Sequence, residues 1–157
     1  RDWIGIDELV GSAVRRLKRY LPKVQVRISM PEEVMNLFVH AALIEQAIFN
    51  VLENAAKFSS EDEAVEIEVK KVSDEQIQIA ISDQGLGIPE DERNRIFDMF
   101  YTMQRGDRGQ YGTGLGLTIV KAIIGAHMGQ ISATEAKNHR GTCIRIVLPI
   151  QQGINEK

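Results

Sequence analysis

Cysteine is almost missing from this sequence: Cys143 is the only one in 157 residues. A single thiol cannot close an internal disulfide, so the chain is no disulfide-stapled scaffold, and a reducing compartment is the simplest reading. Cys143 lies in an alternating strand pattern, which favours a buried structural thiol over a reactive one. Long apolar runs are missing too. None approaches the roughly 18 residues that a membrane-spanning helix needs, and no secretory leader is visible. No contact between this domain and a membrane is expected. Neither sign of charge dominates. With 19 Lys and Arg against 22 Asp and Glu, the net charge is −3, which gives no electrostatic basis for holding nucleic acid. Repeats and low-complexity tracts are also lacking.

What remains is ordinary globular composition, 43% hydrophobic and 26% charged, in a length that suits one domain with a real core. That domain is expected over residues 1–150, followed by a polar tail at 151–157. The chain starts at Arg1 without Met and is expected to be a piece of something longer. Ile6, Leu9, Val10, Ala13, Val14 and Leu17 repeat at helical spacing, so a helix is predicted over 6–20, ended by Pro22. Val24, Val26 and Ile28 alternate as a strand does, and 34–39 suggests another. A long helical pattern covers 41–58. Val65, Ile67 and Val69, then Ile77, Ile79 and Ile81, predict a hairpin that ends at Asp83. Pro89 and the acidic residues after it suggest a short helix running through Phe100. Residues 101–113 read as a mobile loop and 115–127 as a helix. The latter carries Leu115, Ile119, Val120, Ile123 and Ile124. Strands follow at 130–135 and 143–149. The fold class is α/β: a two-layer sandwich of a mixed, mostly antiparallel sheet with helices on one face.

Three segments suggest chemistry. On the helix over 41–58, Gln46, Asn50, Glu53, Asn54 and Lys57 fall within an arc of roughly 100°. Ile44, Ala47, Ile48, Val51, Ala55 and Phe58 flank it on one side, and Phe49, Leu52 and Ala56 on the other. So thin a polar stripe on a mostly apolar helix should meet something polar in a cleft. A solvent-facing strip with Glu53 and Lys57 paired i,i+4 is the alternative. Asn carbonyl oxygens are hard neutral ligands suited to Mg²⁺, and Lys57 offers phosphate a point charge. The second segment is Asp83-Gln84-Gly85-Leu86-Gly87-Ile88-Pro89. A carboxylate there can accept from adenine N6, whereas guanine would oppose it with a carbonyl oxygen. Gly85 and Gly87 would let the base approach the backbone. A plain loop capped by Asp83 is the alternative. The third is Gly112-Thr113-Gly114-Leu115-Gly116-Leu117, which leads into a helix. Backbone N–H groups at such a start hold anions. The spacing fits neither the Walker loop nor the dinucleotide fingerprint. Arg105 and Arg108, in the loop before it, could close on a terminal phosphate. A surface loop with solvated charges is again the alternative.

Together these segments resemble the catalytic ATP-binding domain of sensor histidine kinases, in the superfamily shared with DNA gyrase B, Hsp90 and MutL. Asn50 to Phe58 looks like the family's N box, 83–89 its G1 box and 112–117 its G2 box. Phe97 and Phe100 are similar to its F box, and Gly141-Thr142 followed by Leu148-Pro149 to its last strands. The similarity covers about residues 5 to 150. Trp3 and the Glu8–Ala13 stretch also resemble KdpD-type potassium sensor kinases.

The resemblance implies the Bergerat fold, with ATP as ligand and Mg²⁺ as its cation. It implies that Asn54 and Asn50 contact Mg²⁺ and phosphates, Lys57 binds phosphate, and Phe58 packs near adenine. Asp83 would read N6. Gly85, Gly87, Gly112, Gly114 and Gly116 would shape a pocket completed by Ile88, Phe97, Phe100, Thr113, Leu115, Leu117 and Thr142. The hydrolysing relatives place Glu where Asn50 stands, and Asn cannot act as a base. Glu53, beside Asn54, is the remaining candidate. His40, His127 and His139 lack the acidic neighbour of a phosphoacceptor, so the acceptor is expected on a separate helical dimerisation domain. A response regulator would follow as partner. The setting implied is the cytoplasmic part of a membrane-anchored bacterial sensor. A non-catalytic ATP-binding signalling module, a hydrolysing ATPase and an anti-sigma-factor kinase are the alternatives. Three positions depart from the family pattern: Thr102 where Arg or Lys is usual, His40 where Asp is, and Met128 where Gly is.

Overall fold

A computed structural model describes residues 1–33, 35–59, 62–85, 87–98, 116–136 and 140–150. Strand β1 (Asp2–Gly5) leads into helix α1 (Ile6–Tyr20), which is followed by β2 (Val26–Ser29), β3 (Asn36–Val39) and helix α2 (Ala41–Phe58). The hairpin β4 (Val65–Ser73) and β5 (Gln76–Ser82) comes next, then two 3-10 turns, helix α3 (Gly116–Ala126), β6 (Gln130–Glu135) and β7 (Thr142–Pro149). Five strands form one sheet in the order β2-β4-β5-β7-β6, antiparallel except for the β2–β4 pair. The sheet is thus mixed and mostly antiparallel, with the three helices packed against its inner face.

Period-2 alternation sends Val65, Ile67, Val69, Ile77, Ile79, Ile81, Ile144, Ile146 and Leu148 to that inner face, all of them buried. They meet α2, whose Ile44, Ala47, Ile48, Val51, Leu52 and Ala55 are buried as well. Most of both flanks predicted for this helix is therefore core; Phe58 is half-buried, and Leu43 in the first turn is exposed. Leu9, Val10, Ala13 and Leu17 of α1 close the layer. Cys143 is buried on the opposite sheet face beside Ala80 and Ala136.

The structure departs from the pattern-based reading in three places. β1 was not legible; it pairs with β3 in a two-stranded sheet that stacks Trp3 on Phe38, ring centroids 5.3 Å apart. The short helix expected after Pro89 is instead two 3-10 turns, Glu90–Glu92 and Arg95–Phe97. So short a segment cannot sustain an α-helix by itself. Ile96 and Phe97, inside the second turn, are buried. Ile119, counted with the apolar stripe of α3, is 44% exposed.

The chain ends α3 in a Schellman motif, with Gly129 N–H donating to the Ile124 carbonyl and Met128 N–H to that of Gly125. Met128 stands at the left-handed position, φ 62°. Nearby, His40 caps α2 by accepting from the Leu43 N–H at 3.4 Å. Its own N–H donates to Nε2 of the buried His127, whose Nδ1 donates to the Ile123 carbonyl. Both imidazoles are structural. His139 lies outside the described residues.

Candidate functional site

Asp83 is the best-fixed polar group of the site. It follows β5 and is only 6% exposed. Its Oδ1 accepts from the Gly85 N–H at 2.9 Å and the Thr142 N–H at 3.1 Å. Its own N–H donates to the Thr142 carbonyl. Burial pushes the carboxyl above its usual range, and the two backbone donors pull the other way. Both donors converge on Oδ1; no described residue donates to Oδ2. Thr142 therefore anchors the acid through its backbone.

The turn after Asp83 is braced from two sides. A Cβ on Gly85 would collide with the carbonyl of Phe58, at the end of α2. A Cβ on Gly141, where φ is +88°, would collide with the carbonyl of Asp83. Gln84 adds side-chain and backbone hydrogen bonds to Ala64 and Ser59. These glycines thus let three pieces of backbone pack together, a reason for Gly85 that differs from the close approach of a base. Ile88 is half-buried against the core and accepts from Arg93 through its carbonyl.

The polar stripe of α2 points toward the start of α3. Asn50 Nδ2 donates to the Gly116 carbonyl at 3.2 Å. Its Oδ1 accepts from Gln46 at 2.6 Å, so the oxygen expected to face a cation is engaged. Asn54 and Lys57 continue the stripe one and two turns on, both half-buried. No ion pair joins Glu53 to Lys57 among the described residues. Gly116 is exposed, with open space where a Cβ would stand. The first turn of α3 carries no acidic residue, which leaves its N–H groups suited to an anion.

Phe97 sits in the core, and its carbonyl accepts from Thr118 Oγ1 at 3.0 Å. It therefore supports α3 from beneath. Leu117 packs partly against the same core, and Phe58 is half-buried. Phe100, Thr102, Arg105, Arg108, Gly112, Thr113, Gly114 and Leu115 lie outside the described residues. No cluster of three metal-binding His, Cys, Asp or Glu side chains occurs among the described residues. An amide oxygen beside a phosphate site fits Mg²⁺, which keeps water and phosphate oxygens in its shell. A shallow groove of about 350 Å³ lies on the other sheet face, over Ala80 and Cys143.

Residues 39–152 match the family model described as histidine kinase-, DNA gyrase B- and HSP90-like ATPase. The sensor protein KdpD of Clostridium acetobutylicum is 37% identical over 145 residues, covering 92% of this chain and 16% of that protein. KdpD of Escherichia coli is 34% identical, covering 96% of this chain and again 16% of the relative. The chain thus spans about a sixth of these relatives. Among solved structures, the mycobacterial sensor histidine kinase MprB superposes with a TM-score of 0.87 at 28% identity, over 97% of this chain and 100% of that one. Full-length ShkA, solved in complex with AMPPNP, gives 0.81 at 21% identity, over 96% of this chain and 31% of that one, a likeness of fold. The chain belongs to the histidine kinase-, DNA gyrase B- and HSP90-like ATPase family, within it to the ATP-binding catalytic domains of sensor histidine kinases.

Proposed function

We propose that this domain presents Mg-ATP for phosphoryl transfer to a histidine on a separate helical dimerisation domain, from which a response regulator takes the phosphoryl group. The parent is a membrane-anchored bacterial sensor of the KdpD type with this domain in the cytoplasm. One observation carries the choice of kinase over hydrolase: the position from which a base would activate water holds Asn50, an amide committed at both ends to Gln46 and Gly116. Asp83 Oδ2 accepts from adenine N6, Lys57 and the start of α3 meet the phosphates, and Asn54 holds Mg²⁺. Bound there, Mg²⁺ supplies charge neutralisation on the phosphates. The protein's own share of catalysis is positioning and the exclusion of water.

The test uses labelled ATP with the full-length parent, and unlabelled turnover with the chain alone. Acid-labile label on the parent, lost in Asn54→Ala, and near-background hydrolysis by the chain are expected. Robust hydrolysis by the chain alone, abolished in Glu53→Gln, would overturn the kinase reading.

A further inference from the structure

Four groups on three helices form one hydrogen-bonded chain that ends at the nucleotide site. Arg16 of α1 donates through Nη1 to Gln46 Oε1 at 2.7 Å. Gln46 Nε2 donates to Asn50 Oδ1 at 2.6 Å. Asn50 Nδ2 donates to the Gly116 carbonyl at 3.2 Å. The guanidinium is held in place by Phe49, with Cζ 4.0 Å from the ring centroid.

The direction of this chain follows from its first member. An amide can face a neighbour with either its oxygen or its nitrogen, so its orientation is set by partners that can play only one part. A guanidinium can only donate. Arg16 therefore turns the Gln46 oxygen toward itself and its nitrogen toward Asn50. Asn50 must answer with oxygen, which leaves its nitrogen facing Gly116. A carbonyl can only accept, so the last link closes in one orientation alone. Reversing Asn50 would set its oxygen against the Gly116 carbonyl, and reversing Gln46 alone would set oxygen against oxygen at Asn50.

We propose that Arg16 and Gln46 are positioning residues of the ATP site: they set the amide polarity of Asn50, which clasps the start of α3 where the phosphates are bound. The inference rests on the ATP-site reading above. It gives α1, which supplies no group to the nucleotide, a part in nucleotide affinity.

The test varies the sign and presence of the donor at position 16, using the whole 157-residue chain. Calorimetric titration with Mg-ATP should leave Arg16→Lys within about twofold of the parent, because a donor remains. Arg16→Met, which removes the fixed donor and leaves the Gly116 carbonyl alone to orient the pair, should bind roughly fivefold more weakly, the scale of one lost hydrogen bond. Arg16→Glu, which offers an acceptor and reverses both amides, should bind roughly twentyfold more weakly. In an Asn50→Ala background the series should collapse to one affinity, because nothing is left to orient. A merely structural role for Arg16 would persist there. A flat series, or one unchanged in Asn50→Ala, overturns the relay while leaving the ATP site intact. A parent that binds no adenine nucleotide overturns the site itself. The relay also has a readout without nucleotide: the Asn50 side-chain NH₂ resonances should shift in Arg16→Glu, and unmoved resonances contradict it.

Discussion

The two glycine segments look alike in the sequence and serve different ends. The turn after Asp83 is closed: Gly85 lies against the Phe58 carbonyl, and Gly141 brings β7 against Asp83 itself. The start of α3 differs: among the described residues, nothing stands where a Cβ of Gly116 would be. Glycine in the first segment lets protein meet protein, and so fixes a carboxylate. At Gly116, the first residue of α3, it leaves the surface exposed instead. On the proposed reading, a base reader must be rigid to discriminate, whereas a phosphate wall must be accessible.

The largest effect should come from breaking the closed segment. Gly85→Ala forces a methyl into the Phe58 carbonyl, and a loss of roughly 3–5 kcal/mol is expected, the scale of severe overpacking. Denaturant midpoints would read it. A loss below about 1 kcal/mol would mean that the packing seen here is not needed.

Asp83→Asn separates stability from recognition. Burial raises this carboxyl, so the folded state binds the proton more tightly than the unfolded chain does. Its contribution to stability is full below the ordinary aspartate range and is lost as pH rises through the raised value. Asn keeps an oxygen for the Gly85 and Thr142 donors without carrying charge. The variant should melt higher than the parent at pH 7, with the gain shrinking toward pH 4, while Mg-ATP affinity falls at least about tenfold. Equal melting at both pH values would contradict the burial argument.

The open segment should respond in the opposite way. Gly116→Ala is expected to stabilise the helix start by about 0.5–1 kcal/mol, yet to weaken nucleotide binding, because its methyl stands where the phosphates approach. A stabilised variant with unchanged Mg-ATP affinity would remove Gly116 from the site. The smallest effect concerns a place that has glycine's geometry without glycine. Met128 adopts φ 62° and is 81% exposed. Met128→Gly should therefore raise stability by about 1 kcal/mol, visible as a shift in thermal midpoint.

Periodicity made α2 readable to its ends, because most of both flanks is core and those buried residues report the same axis. It could not show β1, where four residues give too short a period and the pairing partners, Asn36–Val39, lie far along the chain. Asp83 stood out as a strand-ending acid before a glycine, but the reason for Gly85 lay in a carbonyl that no sequence pattern names. No pattern in the sequence singles out Arg16. Its link to Gln46 exists only because α1 and α2 pack side by side, so the relay belongs to tertiary structure.

The central claim is that Asp83, held by two backbone donors, reads adenine. Titrating the chain with Mg-ATP and Mg-GTP in parallel tests it most directly. A built hydrogen-bonding site should reject the wrong base by at least about 100-fold, so heat of binding is expected for ATP and none for GTP at matched concentration. Equal affinity for the two nucleotides would contradict the account.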